Sequence, residues 1–384
     1  GLTFSGVALL LQAQSRAARG AHRAAADAAR RGHAALTSVT EARPGAVEPL
    51  FAMGAYNYFA DNLPLIVKGL RFFLNIPGGD EKLGLAQLEE SARSSDIFGT
   101  EALMLLAHIH SRTDRGDARM ALGFLRQAAD RHPTSPLIQT ALSDLLFRTG
   151  RIRESKALVT HALALLAAQP GFSESIKPLA QYRSAACSLS LGDPASAIAL
   201  GRSALLHGGS MRQGDARRWA HLMIEAAIDS GVPQEAAAWV DQFPLSAESR
   251  QDCLRWIDEA AHDPGRFGRG PAASVPPGEA EVQALRDLAA AHPGNGWLQH
   301  RLGGALGIQG RHGEARIHLN KAIAIGPAAV QGWALMWLGW IEEERGARRA
   351  AISYYRRSAS LKKFDFSLAA SERILYPATG RPEL

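Results

Sequence analysis

The sequence predicts an all-α protein built from antiparallel helix pairs, and three observations lead there. Unbranched helix formers, above all Ala, Leu, Arg and Glu, far outnumber Val, Ile and Thr, and side chains without a branch at Cβ lose less freedom in a helix. Small residues, a turn glycine and a helix-ending proline recur at an interval of about thirty-four residues along much of the chain. Finally, 384 residues with 46% hydrophobic content exceed what one ordinary compact core takes, so a repeat array or two domains is expected.

The clearest unit is "LGGALGIQGRHGEARIHLNKAIAIGP" at 302–327. Leu302 and Gly303 precede Leu306, Gly310, Ala315, Leu319, Ala322 and Pro327. Small Gly303 and Ala315 let two antiparallel helices approach closely, Gly310 breaks the chain between them, and Pro327 closes the unit. The pattern returns in "LGWIEEERGARRAAISYYRRSAS", with Leu338, Gly339, Gly346, Ala351, Tyr355 and Ser358. Earlier, Gly116, Ala121, Leu125, Ala128 and Pro133 give the second half, and Gly150, Ser155, Val159 and Ala162 follow 34 residues behind. Looser copies lie around Gly192, Ala197 and Ala204 and around Gly231, Ala236 and Val240, at intervals of 42 and 39 residues. Alanine-rich residues 6–36 have a helical pattern and suggest another degenerate pair.

This pattern resembles the tetratricopeptide repeat, strongly over 102–167 and 296–363 and more loosely from about residue 6 to 376. The resemblance implies a solenoid of helix pairs whose first helices line a concave groove for a segment of another protein. On the repeat registers the groove candidates are His110 on one helix, Asp144 and Arg148 on the next, and Tyr182 after them. Arg218, His221 and Glu225 follow, then His300, and finally Trp333 and Trp340. The paired Lys and Asn residues with which some tetratricopeptide domains clamp a C-terminal carboxylate are missing at these positions.

The stretch "NLPLIVKGLRFFLNIPGGDE" at 62–81 raises the question of a membrane. Its core, 63–76, holds nine apolar residues in fourteen, too short for a span, which needs roughly twenty. Lys68, Arg71 and Asn75 form one polar stripe, Pro64 suits a first turn, and Pro77-Gly78-Gly79 ends the segment. A first helix of a repeat packed on Leu83, Leu85 and Leu88 is expected there, with a helix lying in a membrane surface as the rival. The wider block 54–91 resembles a recurrent block in a group of bacterial tetratricopeptide proteins, many of them exported, through Tyr56, Asn57, Tyr58, Pro64, Pro77, Gly78, Gly79 and Gly84. It is more distantly similar to the eukaryotic inclusion-body-clearance proteins. That resemblance implies a cell-envelope or periplasmic location, with the cytoplasm as the alternative.

"HDPGRFGRGPAASVPPGE" at 262–279 has eight Gly or Pro in eighteen residues. It reads as a linker or long loop over 263–278, dividing an N-terminal array, 1–262, from a C-terminal one, 279–384. Its glycine order is not the dinucleotide fingerprint.

Other chemistry is thin. The net charge is +6, from 43 basic and 37 acidic residues. Arg16, Arg19, Arg23, Arg30 and Arg31 face only Asp27 within residues 1–40, but no aromatic residues interleave with them, which argues against nucleic acid. Cys187 and Cys253 form neither a CxxC motif nor a disulfide framework. The chain begins at Gly1 and not at Met, so a processed or truncated product is expected, and the opening "GLTFSGVALLLQAQ" lacks the basic n-region of a signal peptide. There is no nucleophile elbow, no phosphate loop and no H-E-x-x-H. His108 and His110 project about 200° apart on a helix, and the run Glu342, Glu343 and Glu344 spreads around its helix. Trp333, Trp337 and Trp340 share a helical face, as core or as partner anchor. No catalytic residue, metal or cofactor is expected. The reading is a non-catalytic scaffold or adaptor for a partner protein, peripheral membrane contact being left open. The alternative is a regulatory or substrate-positioning subunit of an enzyme complex.

Overall fold

The computed structural model describes residues 1–62, 78–111, 117–149, 151–168, 173–207, 213–262 and 277–361. Among them are eighteen α-helices and no strand. The chain divides into two compact units, Gly1–Arg112 with Arg119–Pro133, and Thr113–Ala118 with Thr134–Leu384.

The first unit holds α1 (Leu2–Ala18), α2 (His22–Ala42), α3 (Leu50–Asp61), α4 (Glu81–Ser94), α5 (Gly99–His110) and α6 (Ala118–Arg131). Glycines let α1 and α2 touch: a Cβ on Gly6 would lie 2.6 Å from Leu36 Cγ, and one on Gly32 would lie 3.0 Å from the Gly6 carbonyl. The α3–α4 pair is closer still. A Cβ on Gly54 would stand 2.8 Å from the Gly84 carbonyl, and one on Gly84 would stand 2.6 Å from the Tyr58 nitrogen. Leu88, fully buried, packs over Gly54. Asn57 Nδ2 donates to Gln87 Oε1 at 2.8 Å across the pair, and Asp80 caps α4 through the Leu83 N–H at 3.0 Å. The pairing partner of 81–94 is therefore 50–61. The expected helix at 63–76 lies outside the described residues, and Leu83, assigned to its contact, is exposed. The spacing hid this because the two halves of the pair are separated by an intervening stretch, whereas elsewhere a short turn joins them.

The second unit begins with α7 (Pro136–Arg148), α8 (Ile152–Ala168), α9 (Ser173–Ser190) and α10 (Pro194–His207). It continues with α11 (Gln213–Asp229), α12 (Glu235–Val240), α13 (Ala247–Ala261) and α14 (Glu279–Ala291). Last come α15 (Gly296–Ile308), α16 (His312–Ile325), α17 (Ala328–Glu344) and α18 (Arg348–Ser360). Helices pack on their sequence neighbours, α7 on α8, α9 on α10, α15 on α16 and α17 on α18, and each pair stacks on the next. This is the helix-pair build expected from the repeat.

Each crossing uses a small residue where the pattern places one. A Cβ on Gly303 would meet Leu319 Cγ at 2.6 Å, and one on Gly339 would collide with the Tyr355 ring. In α7–α8 the small pair is polar: Ser143 Oγ donates to the Ser155 carbonyl at 2.9 Å, and Ser155 Oγ to the Ser143 carbonyl at 2.7 Å. The turns share one geometry as well. At Gly310, φ is +75°, a left-handed conformation natural only to glycine. It lets the Arg311 N–H reach the Leu306 carbonyl at 2.9 Å, the helix-ending motif with a 6→1 bond. Gly20, Gly192, Gly231 and Gly346 repeat it.

Of the stretch expected to be a linker, 263–276 lies outside the described residues. On either side of it, α13 and α15 contribute to one buried cluster that extends from Tyr182 to Tyr355.

Candidate functional site

The first helices of the second unit, α7, α9, α11, α13, α15 and α17, carry most of the groove candidates. Large rings join them. Tyr182 on α9 meets Trp219 on α11 edge to face, with ring centres 5.2 Å apart. His221 on α11 meets Trp256 on α13 at 5.9 Å, Trp256 meets Trp297 on α15 at 6.4 Å, and Trp297 meets His300 at 5.7 Å. On α17, Trp337 lies over Gly304, where a Cβ would be 3.3 Å from its ring, and packs edge to face on Trp340 at 5.4 Å. Edge-to-face contact matches the positive rim of one ring to the negative face of another. The rings form a ladder that binds helix to helix.

That ladder places the aromatic and histidine candidates. Tyr182, His300 and Trp340 are only 5%, 6% and 4% exposed, so their rings are core. His221 is partly exposed, but desolvation, with Arg217 nearby, pushes its pKa down to about 3 and keeps it neutral at physiological pH. Trp333 remains half-buried, at the edge of the core. Of the α17 tryptophans, Trp337 and Trp340 pack inside and Trp333 reaches the surface.

The charged candidates stay near solvent. Asp144 is 31% exposed and ion-paired with buried Arg183, whose guanidinium stacks 4.1 Å from the Phe147 ring centre. Arg218 is exposed, while Arg148 and Glu225 are half-buried. His110 belongs to the first unit, where it packs 5.7 Å from the Phe124 ring.

Between α11 and α13 opens a cleft of about 240 Å³, lined by Arg217, Glu248, Ser249, Gln251, Asp252, Arg255 and Ala328. Part of its lining is structural. Asp252 Oδ1 accepts the Ala328 N–H at 3.1 Å, and Arg255 donates to the Ile325 carbonyl. One face of α13 thus satisfies both ends of the turn between α16 and α17. Arg255 Nε also donates to Glu259 Oε1 at 3.0 Å. Arg217 Nε is buried and makes no hydrogen bond among the described residues. Sequence reasoning overlooked this lining because 247–261 does not follow the thirty-four-residue interval. Its signal was the alternation of Glu248, Asp252 and Arg255 along one helical face.

Among the described residues no three His, Cys, Asp or Glu side chains converge on a point that could hold a metal. No described helix is long and apolar enough to cross a membrane. Cys187 and Cys253 are both buried, and desolvation raises both thiol pKa values, that of Cys253 to about 12.

The helix pairs, their small-residue crossings and their shared turn define an all-α protein built of repeated antiparallel helix pairs. No family model and no curated protein matches the chain. Among solved structures it is similar to a tetratricopeptide repeat protein from Parabacteroides merdae, 15% identical, over 72% of this chain and 98% of that one, with a TM-score of 0.34. It is also similar to a protective antigen of uropathogenic Escherichia coli that displays an SLR fold, 18% identical, over 92% of this chain and 67% of that one, with a TM-score of 0.38.

Proposed function

We propose that the chain is a non-catalytic scaffold that holds a segment of a partner protein along the first-helix surface of its second unit. One observation carries the reading: the side chains at this surface sort by role. Rings from Tyr182 to Trp340 lock neighbouring helices together, while Asp144, Arg148, Arg218 and Glu225 on first helices stay at least partly exposed. A rigid floor with charges of both signs suits an extended or helical segment that presents complementary charges, because the floor loses little freedom on binding. Trp333, half-buried, supplies an apolar anchor. The partner is a component of a bacterial cell-envelope assembly, a placing supported by the resemblance of residues 54–91.

The test is quantitative. A partner isolated by affinity capture and identified by mass spectrometry is purified, and its affinity is measured for the wild type and for Arg148→Glu with Arg218→Glu. We expect at least tenfold weaker binding with unchanged helicity. Unchanged affinity would remove the surface from the account.

A further inference from the structure

We propose that His262 and His292 form a two-histidine site for a borderline transition dication, with Zn²⁺ as the representative ion. The residues are 30 apart in sequence, yet their ring centres stand 4.6 Å apart at 58° between planes. Two imidazoles that share one ion, each nitrogen about 2.0–2.1 Å from it, have ring centres roughly 4.5–5.5 Å apart. The observed spacing falls in that range, with the ring planes inclined to each other instead of stacked flat.

Tautomer and field favour the same outcome. His262 Nδ1 lies 2.9 Å from the Asp258 carbonyl oxygen. A carbonyl only accepts, so Nδ1 carries the proton and Nε2 is left with its lone pair, the usual arrangement of a metal-binding histidine oriented by a backbone acceptor. His262 is also the residue that closes α13, and His292 the one that closes α14. Two helix C-termini therefore meet at the pair, and their partial negative charge favours a cation there. Asp258, one turn before His262, is exposed and adds a carboxylate to the same end of α13.

With no third His, Cys, Asp or Glu converging among the described residues, water completes the coordination. Imidazole nitrogen selects Zn²⁺, Ni²⁺ or Cu²⁺ over Mg²⁺ and Ca²⁺. The bound ion would tie the end of α13 to the end of α14, on either side of residues 263–276.

Calorimetric titration of the full chain with Zn²⁺ at pH 7.5 tests this, with Mg²⁺ as control. We expect one ion bound by the wild type and none of the Mg²⁺. His262→Asn and His292→Asn should each bind Zn²⁺ at least tenfold more weakly, with the double variant no worse than either. A second measurement needs no variant: Cu²⁺ bound at one equivalent should show the electron paramagnetic signature of two imidazole nitrogens. Wild-type affinity retained in either single variant, or a one-nitrogen Cu²⁺ signal, would overturn the site.

Discussion

Glu259 Oε2 accepts the backbone N–H of Trp297 at 2.9 Å, so a carboxylate near the end of α13 caps the start of α15 across 38 residues. The carboxylate is buried, and its backbone carbonyl receives Asn295 Nδ2 at 2.8 Å. One residue thereby fastens the two sides of the Gly/Pro-rich stretch. Glu259→Ala should leave the Trp297 N–H without its acceptor, at a cost of about 1–3 kcal/mol, read as a lower denaturant midpoint with an unchanged slope.

Burial raises the Glu259 pKa above its ordinary 4.5, despite hydrogen bonds from Trp297 and Arg255 that oppose the shift. A folded-state pKa above the unfolded one gives stability that is complete below the unfolded value and is lost as pH rises through the folded value. Glu259→Gln keeps an acceptor for Trp297 but cannot ionise. Its stability relative to wild type should therefore rise from pH 4 to pH 7, as urea midpoints across that range will show.

His221 has the opposite sign. Its pKa is depressed from 6.5 to about 3 by desolvation and Arg217, so its contribution is present above pH 6.5 and is lost as pH falls toward 3. His221→Phe keeps a ring against Trp256 and removes the titration. The variant should lose less stability than wild type between pH 6.5 and pH 4 in thermal melts.

The ladder predicts that its rings act on folding before they act on binding. Trp256 and Trp297 are among the largest fully buried side chains, and replacing either with Ala should cost about 3–5 kcal/mol. Trp340→Ala should likewise lower the melting temperature, whereas Trp333→Ala should barely move it. Equal melting of all four variants with wild type would mean that the rings do not carry the core.

Gly339 faces the Tyr355 ring so closely that any Cβ collides with it. Gly339→Ala should destabilise by about 1–3 kcal/mol through overpacking, and Gly339→Ala combined with Tyr355→Leu should recover part of the loss. An additive double variant would contradict the contact.

Much of this architecture was legible in sequence because it rests on residues with few substitutes. Gly192, Gly231, Gly310 and Gly346 adopt left-handed φ at the predicted turns, and Ser155, Ala197, Ala236, Ala315 and Ala351 are fully buried at the crossings. Three features were not legible. The α3–α4 pair is joined by a long insertion, so its Gly54–Gly84 contact has no fixed spacing. A repeat register gives direction but not reach: Tyr182, His300 and Trp340 point from first helices, yet their rings are large enough to fill the seam to the next helix. And Gly201 stands where neighbouring repeats have a large residue, its space taken by Met223 from α11, a substitution visible only in three dimensions.

Site-specific photo-crosslinking tests the scaffold account most directly. A crosslinking residue placed at position 218 or 225, on the first-helix surface, should trap one defined partner in cells. The same residue at position 160 or 321, exposed on second helices α8 and α16, should trap none or a diffuse mixture. A single partner trapped from 160 or 321 and absent from 218 and 225 would contradict the account.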